Sequence, residues 1–147
     1  MAMRRATIGA VVIVALTCLT VSALGALTAT RTISSSGSIT AVGVGVYSNS
    51  GCTTALSAIS WGTLNPGNVT TYTMYVKNTG DVSETLNMTV SGWSPSSASS
   101  YIKLTWNQEK SVLTADQIVA AVLTLSVSSS ISNVTSFSFS ITITGTH

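Results

Sequence analysis

The sequence predicts an all-β chain: an immunoglobulin-like or jelly-roll-type β-sandwich of about seven or more strands. Three observations carry that reading. Apolar residues alternate with small polar ones in run after run. In the closing "FSFSITITG", Phe137, Phe139, Ile141 and Ile143 share one face, and Ser138, Ser140, Thr142 and Thr144 share the other. Turn signals separate the runs at short intervals. Beyond residues 1–29, no segment sustains a helical period.

The strands follow in order. "ITAVGVGVY" sets Val42, Val44 and Val46 on one face and Gly43 and Gly45 on the other. "AISWGTL" is a second strand, closed by the Pro-Gly turn "NPGN". "TTYTMYVKN" groups Tyr72, Met74 and Val76, and "NTGD" turns the chain. "TLNMTVSGW" groups Leu86, Met88 and Val90. After the loop "SPSSASS", "YIKLTW" aligns Ile102, Leu104 and Trp106. "NQEKSVLTADQ" reads as turn, short strand and turn, and "VAAVLTLSV" aligns Val119, Ala121, Leu123, Leu125 and Val127. Trp61, Trp93 and Trp106 are expected to anchor the core, with their indole N–H groups partnered.

Residues 1–29 read as a targeting segment. Arg4 and Arg5 form a basic start, residues 8–19 an apolar run, and "VSA" and "ALG" offer small-residue cleavage sites between Ala23 and Thr30. A cleaved secretory signal is the expectation, and with it an extracellular or cell-surface location. Two alternatives use the same residues. "RRA" before Thr7 resembles a type IV pilin leader whose apolar segment is retained as a helix. The apolar run is also about long enough for a membrane anchor.

Composition narrows the function classes. The chain has 147 residues, 6 basic and 4 acidic, and 7% are charged, against roughly 25% in ordinary soluble domains. Its 45% hydrophobic content excludes a disordered chain. Past the leader, Arg31, Lys77, Lys103 and Lys110 balance Asp81, Glu84, Glu109 and Asp116, so no basic surface awaits nucleic acid. The single histidine, His147, is the last residue, and there is no Ser/His/Asp set and no Cys/His metal spacing. No catalytic residue and no small-molecule substrate are expected.

A few residues invite other chemistry. Asn78, Asp81 and Glu84 gather near one turn and are the candidates for Ca²⁺, which takes six to eight oxygens; turn-forming and solvated-charge roles are the simpler reading. Losing the leader removes Cys18 and leaves Cys52 without an intrachain partner, as a buried thiol, an intermolecular bridge or a metal contact. Asn68, Asn87 and Asn133 each head an N-x-Thr sequon. Asn87 alternates away from Leu86, Met88 and Val90, and the other two lie in loops, so all three should face outward.

The stretch "ISWGTLNPGNVTTYTMYVKNTGDVSETLNMTVSGW" resembles the TasA/camelysin-like extracellular fibre proteins and the related archaeal bundling pilins. The match uses Leu64, Pro66, Gly67, Asn78, Thr79 and Gly80 and covers about a quarter of the chain. The resemblance implies a secreted subunit that polymerises with its own kind by donor-strand complementation, serving adhesion, biofilm or cell–cell contact. Some relatives hold Ca²⁺ at the joint, and this chain is poor in acids. A monomeric or anchored surface binding module is the alternative from another class.

Parity locates the donor strand. Ile33 and Ile39 share a face with Ser35 and Gly37, while Val42, Val44 and Val46 have the opposite parity. A break near residues 37–40 would resolve this, with Gly37 suited to it. The expected division is therefore 1–29 signal, 30–40 donor segment leaving its own domain, and 41–147 sandwich. The uncharged Ser/Thr faces are then surfaces that meet a neighbouring subunit or filament, or carry sugar, because buried charges there would need partners.

Overall fold

The computed structural model describes residues 33–147. The signal peptide and both alternative readings of the leader lie outside the described residues. The described chain is a two-sheet β-sandwich. Its strands are β1 (Ile33–Val42), β2 (Val44–Tyr47), β3 (Ala58–Leu64), β4 (Val69–Asn78), β5 (Glu84–Ser94), β6 (Ile102–Trp106), β7 (Val112–Leu113), β8 (Ile118–Val127) and β9 (Ser136–Thr146). One sheet has the order β3-β1-β9-β5-β7 and the other β2-β4-β8-β6. The "SPSSASS" loop contains a 3₁₀ helix, Ser96–Ser100, which buries Ala98.

Alternation does what the sequence implies. Phe137, Phe139, Ile141 and Ile143 are buried from the first sheet, and Met74, Val76, Leu123 and Leu125 from the second. The two sets meet in one core. At about 1.5–3 kcal/mol for each buried large side chain, this shared layer is what holds the sheets together.

Two bulges adjust the phase. Ser35 pairs with Gly62 but Ser36 with Ser60, so β3 carries one extra residue there. Gly62, at φ +72°, supplies the left-handed backbone. Ile59 and Trp61 therefore face inward at odd positions and Leu64 at an even one. In β5, Ser91 pairs with Ser140 and Ser94 with Ser138 across a second bulge, at Gly92 with φ +65°. Trp93 thereby turns toward Phe139, with ring centroids 4.6 Å apart. Trp61 stacks on Phe139 at 6.5 Å. The bulges thus assemble an aromatic cluster that strict alternation would scatter.

The indoles differ in their hydrogen bonding. Trp106 Nε1 donates to Glu109 Oε2 at 2.6 Å. Trp61 Nε1 is buried with no partner among the described residues, contrary to expectation. It packs over the backbone of Gly37. An orphaned donor costs about 1–3 kcal/mol, which the ring's burial and its stacking, about 0.5–1.5 kcal/mol per aromatic pair, offset.

The main departure is at the start. Residues 33–42 do not leave the domain in this single chain: they form β1 within its own sheet. The break falls at Gly43, at φ +78°, and not at residues 37–40. There the chain turns a corner from one sheet to the other, and both parities reach a single core: Ile33 and Ile39 from β1, Val44 and Val46 from β2. Val42, grouped with those valines by parity alone, ends β1 at 54% exposure.

The alternation makes a direct prediction. Ile141→Ala should lower unfolding stability by about 2–5 kcal/mol, whereas Thr142→Ala, on the outer face, should change it by about 0.5 kcal/mol or less. Urea titrations of the two variants check this.

Candidate functional site

The position with functional meaning is the seat of β1. This strand pairs antiparallel with β3 from Ile33↔Leu64 to Ser38↔Ala58. It pairs parallel with β9 from Ser34↔Ser136 to Val42↔Thr144. It is an interior strand, and among the described residues β3 has no other neighbour in the sheet. Ile33 is 1% exposed and Ile39 8%, so both ends of the apolar face are seated in the core. Between them, Ser35 Oγ donates to the Gly62 carbonyl at 3.2 Å. Gly37 lies under the rings: a Cβ there would stand 3.3 Å from Phe139 Cε2 and 3.5 Å from Trp61 Nε1. The glycine eases this close approach and does not break the strand.

The outer side of the same strands is hydroxyl-covered. Ser34, Ser36, Ser38 and Thr40 on β1 lie beside Ser136, Ser138, Ser140 and Thr142 on β9. Thr85, Asn87, Thr89 and Ser91 continue the array on β5. Ser38 Oγ donates to Ser140 Oγ at 3.0 Å across the strands. No charged side chain occupies an outward position on β1, β5 or β9. An open hollow of about 400 Å³ lies at one end of this face, lined by Ser34, Ser36, Ser94, Pro95, Ser136 and Ser138 among others. Its walls hold neither an ionisable group nor a nucleophile–base pair.

The calcium candidates separate by role. Asn78 is fully buried. Its Nδ2 donates to the carbonyls of Val82 at 2.7 Å and Leu113 at 3.0 Å, and its Oδ1 accepts from the Gly80 N–H at 2.8 Å. This is a clamp on the β4–β5 turn, made wholly of backbone contacts. Glu84 is 7% exposed, and its Oε2 has no hydrogen-bond partner among the described residues. The carboxylate packs against Gly43, Gly80 and Gly145, and added Cβ atoms at Gly43 and Gly145 would crowd it. Asp81 is exposed. The described residues contain no group of three or more His, Cys, Asp or Glu side chains placed to hold a metal.

The remaining candidates are dispersed. Asn68 is exposed, and its Oδ1 accepts from the Asn65 N–H at 2.8 Å. Asn133 is exposed in the β8–β9 loop at φ +58°. Asn87 lies on the outer face of β5 but is half-buried. Cys52 is a half-buried free thiol at φ 50°. Its turn is organised by Asn49, whose Oδ1 accepts from the N–H groups of Thr53 and Thr54. Lys77 and Asp116 form an ion pair at 3.1 Å. The Asp116 hydrogen bond holds the Lys77 ammonium above its ordinary pKa, at an exposed site where solvent screens the effect.

No family model matches the chain, and no curated protein matches its sequence.

The site geometry yields two expected outcomes. Asn78→Ala strands the buried Leu113 carbonyl, the partly buried Val82 carbonyl and a turn N–H, and should lower stability by about 1–3 kcal/mol in chemical unfolding. Native protein should have an intact mass above that of the mature polypeptide, with a glycan on at least one of Asn68, Asn87 and Asn133. A bare polypeptide mass refutes the glycan.

Proposed function

We propose that the chain is a non-enzymatic structural subunit of an extracellular filament, secreted and assembled with its own kind by strand exchange. One observation carries this reading: β1, at the N-terminal edge of the described domain, is interior to its sheet. Its departure would open a slot between β3 and β9 that only another strand of the same pattern fills. A vacant slot of this kind is an aggregation hazard unless a defined partner occupies it. The uncharged outer face agrees with a subunit built to associate, since low surface charge promotes association. Adhesion, biofilm or cell–cell contact are the roles the resemblance to TasA/camelysin-like fibre proteins and archaeal bundling pilins implies for such a filament.

The completed sheet of the single chain favours a second reading, a monomeric surface module whose loops hold a partner. Electron microscopy of concentrated purified protein and of the source cell surface separates the two. The filament reading expects uniform filaments yielding this chain. A monodisperse monomer at every concentration refutes it. Asp at both Ile33 and Ile39 should abolish assembly. Because both side chains are also buried within the single chain, the same variant should unfold at markedly lower denaturant.

A further inference from the structure

The filament reading leaves open which way the exchanged strand runs, and the corner at Gly43 constrains the answer. One end of the sandwich holds Ile33, Leu64 and Ser136, where β1 begins. The opposite end holds Val42 beside Thr144 and Val44 beside Asn78, where β1 ends and β2 begins. Only Gly43 joins the two strands. Two Cα steps reach about 7 Å at most. A β1 that entered the next subunit in its present direction would put Val42 at the receiver's Thr144 end, while Val44 stayed at the donor's Asn78 end. The same ends of both subunits would then abut. The receiver's own β1 would leave from that junction and return to the donor. Such an isologous contact closes a two-fold dimer and builds no filament.

The sequence of β1 offers the other direction. "ISSSGSI", residues 33–39, is nearly palindromic about Ser36. Ile33 mirrors Ile39 and Ser34 mirrors Ser38; only Ser35 and Gly37 differ. Turned end for end, the strand still presents two isoleucines at the same spacing to the core and three serines to the outside. Ile39 would occupy the place beside Leu64, and Ile33 the place beside Ile141. The costs are the Ser35 Oγ hydrogen bond to the Gly62 carbonyl, which is given up, and Ser35 beneath Phe139, where a Cβ stands 3.3 Å from the ring and requires a small shift. Thr40, Ala41 and Val42 are exposed in the single chain, so as a connector they give up little burial, though they give up their pairing with Thr142, Ile143 and Thr144. With Gly43 they span the gap from one subunit's Leu64 end to the next subunit's Asn78 end. Unlike ends then meet, and the contact propagates.

We infer that β1 is a reversible strand: parallel to β9 within its own subunit, and antiparallel to β9 when it fills the slot of the next subunit in a head-to-tail filament. The inference rests on the filament reading. It is tested in the full chain by cysteine pairs on a Cys18→Ser/Cys52→Ser background, at positions whose serines are exposed. In the present direction Ser34 faces Ser136; in the reversed direction Ser38 does. Under oxidation at high concentration, Ser38→Cys/Ser136→Cys should give an intermolecular ladder on non-reducing gels. Ser34→Cys/Ser136→Cys should give only internally linked monomer. A ladder or a lone dimer band from the second pair overturns the reversal, because the strand has then kept its direction. Filaments by microscopy that neither pair links leave the filament reading standing and overturn this one. Absence of both filaments and ladders overturns both.

Discussion

The structure depends on a strand contributed from the N-terminal side of the domain. Among the described residues, β1 alone connects β3 to the rest of its sheet. Through β3 it also holds Ile59, Trp61 and Leu64 in the core. Remove β1, and the loss is not one edge but the hydrogen bonding of β3, the support beneath Trp61 and Phe139, and one wall of the sandwich. Whatever fills the slot completes the fold.

In the proposed filament, the same dependence would let exchange between subunits largely compensate itself in free energy. The slot offers the isoleucines of a second copy the same pockets it offers its own. The proposed exchanged state would differ in the corner at Gly43, the small adjustment under Phe139, the Ser35–Gly62 hydrogen bond, the pairing of residues 40–42 with β9 and the entropy of joining two molecules. Under that proposal, concentration is the natural control on assembly. The burial energy of β1 contributes to both states and selects neither.

Much of this was legible in the sequence, and the parts that were not share a cause. Period-two alternation identified the inward residues of β4, β8 and β9, because a strand buried on one face has no other stable phase. It also gave the correct shared face for Ile33, Ser35, Gly37 and Ile39. Parity could not tell a strand that leaves the domain from one that turns a corner into the facing sheet, because both reconcile opposite phases. The bulges at Gly62 and Gly92 were hidden for a related reason. An inserted residue is visible only against the partner strand, and the partner is a tertiary fact. Asn78 entered the sequence reading for its oxygen, but burial turned its amide toward backbone groups. The buried Glu84 could not be anticipated, since its surroundings come from three glycines far apart in the chain.

The hydroxyl array on β1, β9 and β5 has a consequence for how copies fit side by side. A hydroxyl becomes donor or acceptor by rotating about one bond, so this face has no fixed polarity to match. Along each strand the pattern repeats about every 7 Å, the span of two residues. A neighbour displaced by one repeat meets an almost identical surface. Contacts of this kind would bind without dictating alignment, so filaments of the proposed kind, packed side by side, could slide past one another under load and settle again. A surface of paired lysines and glutamates would instead lock into one position or separate.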